Sequence, residues 1–331
     1  MADSVSKVAP ARKAKWVRLF RAFVALSVVI AVVYTAVKTA RQLQDNHFDF
    51  ADVNLFWWLA AVGIYIATMT FSWLFWHHVL LALGQRATRT KTILAYFASQ
   101  LGKYVPGKAM VVVIRTEMIR GDHVRTAPAA ASVFVETLTW LFVGSAIGCL
   151  LLMILFREHT TMLMSAAILT LVAGSLTSPP VFRRIAQRSG AIKGRNANEL
   201  LKGLNFPVMI YGWVLMTIGW CLNGLSLWLV LYGMGGVDVG WGDYPLALAC
   251  VCLATVAGFV SLLPGGIGVR ELVMIPLLGA RFGSVTAVVA AVVIRLVWLS
   301  AELLTSGIIY VWTRNDRSKQ GVFDQAIETV D

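Results

Sequence analysis

FPVMIYGWVLMTIGWCLNGLSLWLVLY, residues 206–232, runs from Phe206 to Tyr232 without one charged side chain. A helix needs about 20 apolar residues to cross the hydrocarbon of a bilayer, and this run exceeds that. Comparable runs lie at about 17–37, 55–83, 129–156, 160–177, 245–263 and 284–312. Transmembrane barrel strands alternate in polarity over about 10 residues, so continuous runs of this length exclude a barrel. Hydrophobic residues make up 58% of the chain and charged residues 14%. Soluble domains hold about 25% charged residues, so no part of the chain reads as a soluble domain. The fold expected is an all-α polytopic membrane protein.

The bases that give a net charge of +12 sit between the apolar runs. Their natural partner is an anionic headgroup layer rather than nucleic acid. Arg12, Lys13, Lys15, Arg18 and Arg21 crowd the N-terminus. The apolar segment that follows is longer than the roughly 7–15 residues of a signal-peptide core, which makes it a retained first span behind a basic tail, residues 1–16. Asp45, Asp49 and Asp52 then fit outside, and Arg86, Arg89 and Lys91 inside.

Two further segments are interrupted. Residues 93–114 carry Gln100, Lys103 and Lys108 around Gly102 and Pro106-Gly107, and Leu272–Leu278 follows Pro264-Gly265-Gly266. Broken backbone is tolerated at membrane depth only where protein or a water-filled cavity satisfies it. The stretch 178–205 holds Arg183, Arg184, Arg188, Lys193, Arg195 and Lys202 against Glu199. It stays on the cytoplasmic side, with Arg115, Arg120 and Arg125, only if 93–114 enters and returns. If 245–281 likewise dips in from outside, where Asp238 and Asp243 fall, Arg314, Arg317 and Lys319 end inside. The topology expected is six full spans plus two oppositely oriented re-entrant hairpins, with both termini cytoplasmic. Plain hydropathy would count about eight spans. One domain, 17–312, then has halves 17–177 and 206–312 joined by the basic loop 178–205, with a C-terminal tail at 313–331. Pro106 precedes Arg115 by nine residues and Pro264 precedes Arg270 by six, so the sequence alone leaves an inverted repeat open.

Leu263-Pro264-Gly265-Gly266-Ile267-Gly268-Val269-Arg270-Glu271 is the most suggestive local pattern. Proline stops a helix, and glycines let the backbone turn with its N–H groups free. A helix restarting at about Val269 would offer an anion site at its N-terminus, and Arg270 adds a planar donor. The plainer reading is a tight turn in which Arg270 pairs with Glu271. Gly102-Lys103-Tyr104-Val105-Pro106-Gly107-Lys108, followed by Arg115 and Glu117, offers a similar break, the plainer reading being lysines that snorkel to the interface. Gly/Pro breaks in corresponding parts of two halves point to a transporter's binding site. Glu136, Arg295 and Glu302 lie deep in apolar runs and are functional candidates for that reason. Arg295 and Glu302 share a helix face at i,i+7, which suggests a structural ion pair, while Glu136 could meet a base of either hairpin or carry a proton. Gly144 and Gly148 read as a close-packing pair. Cys250 and Cys252 are a poor metal pair, His77-His78 lacks further ligands, and neither metal nor cofactor is expected.

The two interrupted stretches, through Arg115 and through Glu271, resemble the signature regions of the lysylphosphatidylglycerol synthase transmembrane-region family, also called flippase-like. The resemblance covers roughly residues 15–312. It implies a bundle in the cytoplasmic membrane that translocates a charged or lipid-linked headgroup, with anionic lipids as partners. Its headgroup-binding candidates are Lys103, Pro106, Gly107, Lys108, Arg115, Glu117, Pro264, Gly265, Gly266, Gly268, Arg270 and Glu271. The synthases of that family continue into an aminoacyl-transferase domain, whereas this sequence ends after 313–331, so lysyl transfer is not expected of it. Neither a phosphatase set nor a His-Glu-x-x-His motif is present, and an enzyme is not expected. The alternative is a non-transporting scaffold for a glycosyltransferase or lipid-modifying enzyme docked at 178–205.

Overall fold

The computed structural model describes residues 54–104, 109–121, 123–155, 160–188 and 202–328. The first apolar segment 17–37 with its basic tail, the acidic residues 45–52, Pro106, Gly107, Lys108 and the basic stretch 189–201 lie outside the described residues. The described residues form ten helices. Six of them are long and apolar enough to cross a membrane. These are α1 (Leu55–Ala82), α4 (Thr126–Leu155), α5 (Thr160–Thr177), α7 (Phe206–Tyr232), α8 (Tyr244–Val260, extended at its start by the turn Trp241–Asp243) and the first part of α10 (Ser284–Glu328). Shorter helices are α2 (Arg89–Ser99), α3 (Ala109–Ile119), α6 (Pro179–Arg188) and α9 (Val269–Phe282).

α1 and α7 form the antiparallel spine and pack against each other more extensively than any other pair. Asn54 N donates to Gly233 O at 3.0 Å, joining the start of α1 to the end of α7. Ser226 Oγ donates to Ala61 O at 3.1 Å, and Gly219 faces Thr68. Each of the two helices leads directly into a helical hairpin. α2 and α3 form one hairpin and α8 and α9 the other. Because the spine is antiparallel, the hairpins rise from opposite ends of the bundle. Their tips, Gln100–Tyr104 and Pro264–Gly266, touch. A Cβ on Gly265 would stand 3.0 Å from the Tyr104 ring.

α2 and α3 have 11 residues each. At 1.5 Å per residue each is about 16 Å long, half of a hydrocarbon core of about 30 Å. The arms of the second hairpin are longer, and α8 with its leading turn is itself long enough to span, so the two hairpins differ in length. α9 begins at Val269, where the sequence reading puts the restart, and Glu271 caps it. Two further features depart from the sequence reading. α6 occupies the start of what reads as a loop, because Val181, Phe182 and Ile185 share one face while Arg183 and Arg184 lie away from it. α10 does not stop at 312 but continues to Glu328, 45 residues in all, or about 67 Å.

Met164, Ile168, Leu171 and Val172 of α5 and Leu303, Leu304 and Ile308 of α10 are exposed apolar residues. Such a continuous apolar surface suits a lipid solvent and no aqueous one. Inside, small residues let helices close up. A Cβ on Gly224 would come within 2.9 Å of Leu248 Cα, and one on Gly148 within 2.9 Å of Leu253.

Candidate functional site

Beneath the touching tips lies a cavity of about 640 Å³. α1 contributes Tyr65, Thr68 and Ser72 to its wall, the first hairpin Lys103 and Arg115, α4 Glu136, α7 Asn223, α8 Thr255, the second tip Gly265 and Gly266, α9 Arg270 and α10 Trp298. On one flank the wall is apolar. Val113 of α3 and Phe134 of α4 line the cavity yet are 41% and 54% exposed, so the cavity reaches the apolar surface between these helices.

The charges inside the bundle are arranged as pairs. Arg115 Nη1 meets Glu136 Oε2 at 3.0 Å, and Arg115 Nε donates to Ser99 Oγ at 3.1 Å. The guanidinium is held between two rings, 4.8 Å from Trp76 and 4.3 Å from Tyr96. Glu271 caps α9 by accepting from Gly268 N at 2.8 Å and is ion-paired to Arg295. Glu302 is paired with Lys103 and accepts from Tyr65 Oη at 2.8 Å. Thus in each half the hairpin's second arm is tied by a buried ion pair to the span that follows it, with the signs exchanged between Arg115–Glu136 and Glu271–Arg295.

The pairings seen among the described residues correct four sequence readings. Arg295 and Glu302 do not bond to each other: seven residues put them about 10 Å apart along α10, and each takes a partner from a hairpin instead. Arg270 does not pair with Glu271, whose carboxylate is already committed to Gly268 N and Arg295. Lys103 is tied to Glu302 rather than extended to the surface. Glu117 stays away from the cavity, exposed and 3.5 Å from Arg120, because residues two apart on a helix point to nearly opposite sides.

Arg270 is left as the exception. Among the described residues no carboxylate lies within ion-pair distance of it, and its Nε is buried without a hydrogen-bond partner. Its guanidinium lies 5.1 Å from the Trp298 ring centre. Glycine is required around it. A Cβ on Gly258 would stand 2.7 Å from Arg270 Cγ, and one on Gly266 2.9 Å from Nε. Gly265, Gly266 and Gly268 also take φ values of +59°, +69° and +88°, which L side chains rarely adopt. The tip of the second hairpin is therefore a glycine-built slot through which one unpaired arginine reaches the cavity.

The family model described as lysylphosphatidylglycerol synthase TM region matches residues 19–301. The chain belongs to this family. No curated protein matches the chain closely enough to stand as a relative. The lysylphosphatidylglycerol synthase TM-region match takes in both hairpins and every cavity residue named above. Of the sequence candidates, Lys103, Arg115, Gly265, Gly266, Arg270 and Glu136 line one cavity, and Gly268 and Glu271 brace its edge. Tyr65, Asn223, Thr255 and Trp298 were not singled out from sequence. Asn223 could have been, as the lone amide in the uncharged run 206–232, but nothing marks a particular Thr, Tyr or Trp in such a chain.

Proposed function

We propose that this chain moves a lipid with an anionic headgroup between the leaflets of the cytoplasmic membrane. The observation that carries the reading is Arg270: a half-buried cation with no carboxylate partner and an unbonded, buried Nε among the described residues, facing a cavity in which the other bases are paired. A desolvated guanidinium is stabilised by an incoming phosphate, which its planar fork can bind through two parallel hydrogen bonds. The apolar flank between Val113 and Phe134 lets the acyl chains remain in the bilayer while the headgroup occupies the cavity. Alternating access comes from one half rocking against the other across the contact between Tyr104 and Gly265. In this reading the hairpins are re-entrant and enter from opposite faces. Both termini and the basic stretch 178–205 lie at the cytoplasmic face, lipids are the partners rather than nucleic acid, and no covalent chemistry is performed.

The test uses purified protein in liposomes containing tail-labelled phosphatidylglycerol, with a membrane-impermeant quencher reporting the fraction of label that changes leaflet. The wild type should raise that fraction above the protein-free level. Arg270→Gln should return it to that level with unchanged expression and melting temperature, and Arg270→Lys should restore part of it. Wild-type rates for Arg270→Gln would defeat the proposal.

A second reading draws on α6, whose basic face could dock a glycosyltransferase or lipid-modifying enzyme while Phe182 packs against the bundle. This scaffold reading predicts no lipid movement by the wild type itself.

A further inference from the structure

Arg270 accounts for the charge of a headgroup but not for the uncharged polar groups beside it. Asn223 and Thr255 line the same cavity and are 3% and 5% exposed. Asn223 Oδ1 and Thr255 Oγ1 have no hydrogen-bond partner. Thr255 is unusual in this. Thr68, Thr139 and Thr305, also in the long helices, return their hydroxyls to the carbonyls of Ile64, Val135 and Ala301. An unpaired buried polar atom is costly and is retained where something else supplies its partner. Thr255 stands one turn of α8 before Gly258, against which the Arg270 side chain lies. Asn223 precedes Gly224, whose close approach to Leu248 brings α7 and α8 together as one wall.

Resting on the headgroup reading above, we infer that Asn223 and Thr255 form a hydroxyl-recognition subsite of this cavity, selecting phosphodiester lipids whose headgroup is a polyol, such as glycerol, inositol or a sugar. The phosphate sits on Arg270, and the headgroup hydroxyls donate to the Asn223 amide oxygen and exchange hydrogen bonds with Thr255. A cationic, aminoacylated headgroup is disfavoured. The carboxylates of Glu136, Glu271 and Glu302 are each held by a cation, and among the described residues no unpaired carboxylate faces the cavity.

The experiment is calorimetric titration of the full-length protein in micelles with short-chain phosphatidylglycerol, phosphatidylethanol and lysylphosphatidylglycerol. Phosphatidylethanol keeps the phosphodiester and its charge but has no hydroxyl. The wild type should bind phosphatidylglycerol about five- to tenfold more tightly than phosphatidylethanol, as one or two hydrogen bonds would give. It should bind lysylphosphatidylglycerol at least as weakly as phosphatidylethanol. Asn223→Leu and Thr255→Val should erase the preference for phosphatidylglycerol without weakening phosphatidylethanol, and Thr255→Ser should keep it. Equal binding of the two anionic lipids by the wild type, or a parallel loss of both in the Asn223 and Thr255 variants, would overturn the subsite. So would tighter binding of the lysyl lipid. Arg270→Gln separates the two levels: it should weaken both anionic lipids alike. If it changes neither, the headgroup reading itself fails.

Discussion

Glu136 offers the cleanest measure of what the buried charges contribute. Glu136→Leu would leave Arg115, which is 2% exposed, with Ser99 Oγ and two aromatic faces but no anion. Breaking one side of a buried pair costs about 3–5 kcal/mol, because the remaining charge stays desolvated without compensation. Burial is nearly complete on both sides, so solvent screening does not reduce this figure. At about 1.4 kcal/mol per factor of ten, the folded-to-unfolded ratio should fall by roughly two to three and a half powers of ten. Glu136→Gln keeps one acceptor for the guanidinium and should cost about 1.5–3 kcal/mol. The double variant Arg115→Met, Glu136→Leu removes both charges and sets a thioether between Trp76 and Tyr96, where sulfur–aromatic contact is favourable. It should recover to within about 1 kcal/mol of the wild type. The assay is a double-mutant cycle by reversible unfolding in lipid–detergent micelles. A Glu136→Leu cost below about 1 kcal/mol, or a double variant no more stable than the worse single one, would refute the account of the pair as a mutually dependent buried unit.

Three other outcomes are expected. With cysteines placed one at a time, an impermeant reagent outside intact cells should label a replacement at Asp238 and spare one at Gln187; the reverse pattern would overturn the orientation. Gly144→Val should lower stability by about 1–3 kcal/mol in thermal melts, since the new side chain meets the Trp220 ring. That ring cannot yield, being stacked on Trp140 at 4.2 Å with its Nε1 bonded to the Trp140 carbonyl. Leu262 holds a left-handed φ of +57° while 65% exposed. Leu262→Gly should therefore raise stability in the same melts by up to about 1 kcal/mol.

Length and polarity made the spans legible. Leu55–Ala82, Thr160–Thr177 and Phe206–Tyr232 match their apolar runs nearly residue for residue, because in lipid an unbroken apolar run has one stable conformation. The Pro264-Gly265-Gly266 break told where the second hairpin turns, for the same reason. What could not be read was partnership. Arg295 and Glu302 looked like a pair because helix periodicity relates residues of one helix only, whereas their partners Glu271 and Lys103 come from hairpins that tertiary folding brings in. The end of α10 was missed because a run stops being apolar where it leaves the bilayer, not where it stops being helical. Asn223 and Thr255 acquire meaning only from the missing hydrogen bonds around them, which a sequence does not record.

The pair between Lys103 and Glu302 also has a consequence for synthesis. Its members are 199 residues apart. At about 5–20 residues per second, the ribosome reaches Glu302 roughly 10–40 s after Lys103 has been made. Arg115 waits for only 21 residues before Glu136 exists. The arms of the first hairpin can thus be neutralised and seated early, but its tip holds an uncompensated ammonium until the last span arrives. During that interval Lys103 must remain at the headgroup boundary or in the shelter of the insertion machinery. Capture of Lys103 by Glu302 is therefore a late step of assembly, and a chain that stalls before residue 302 carries a first hairpin whose tip lysine has no anion.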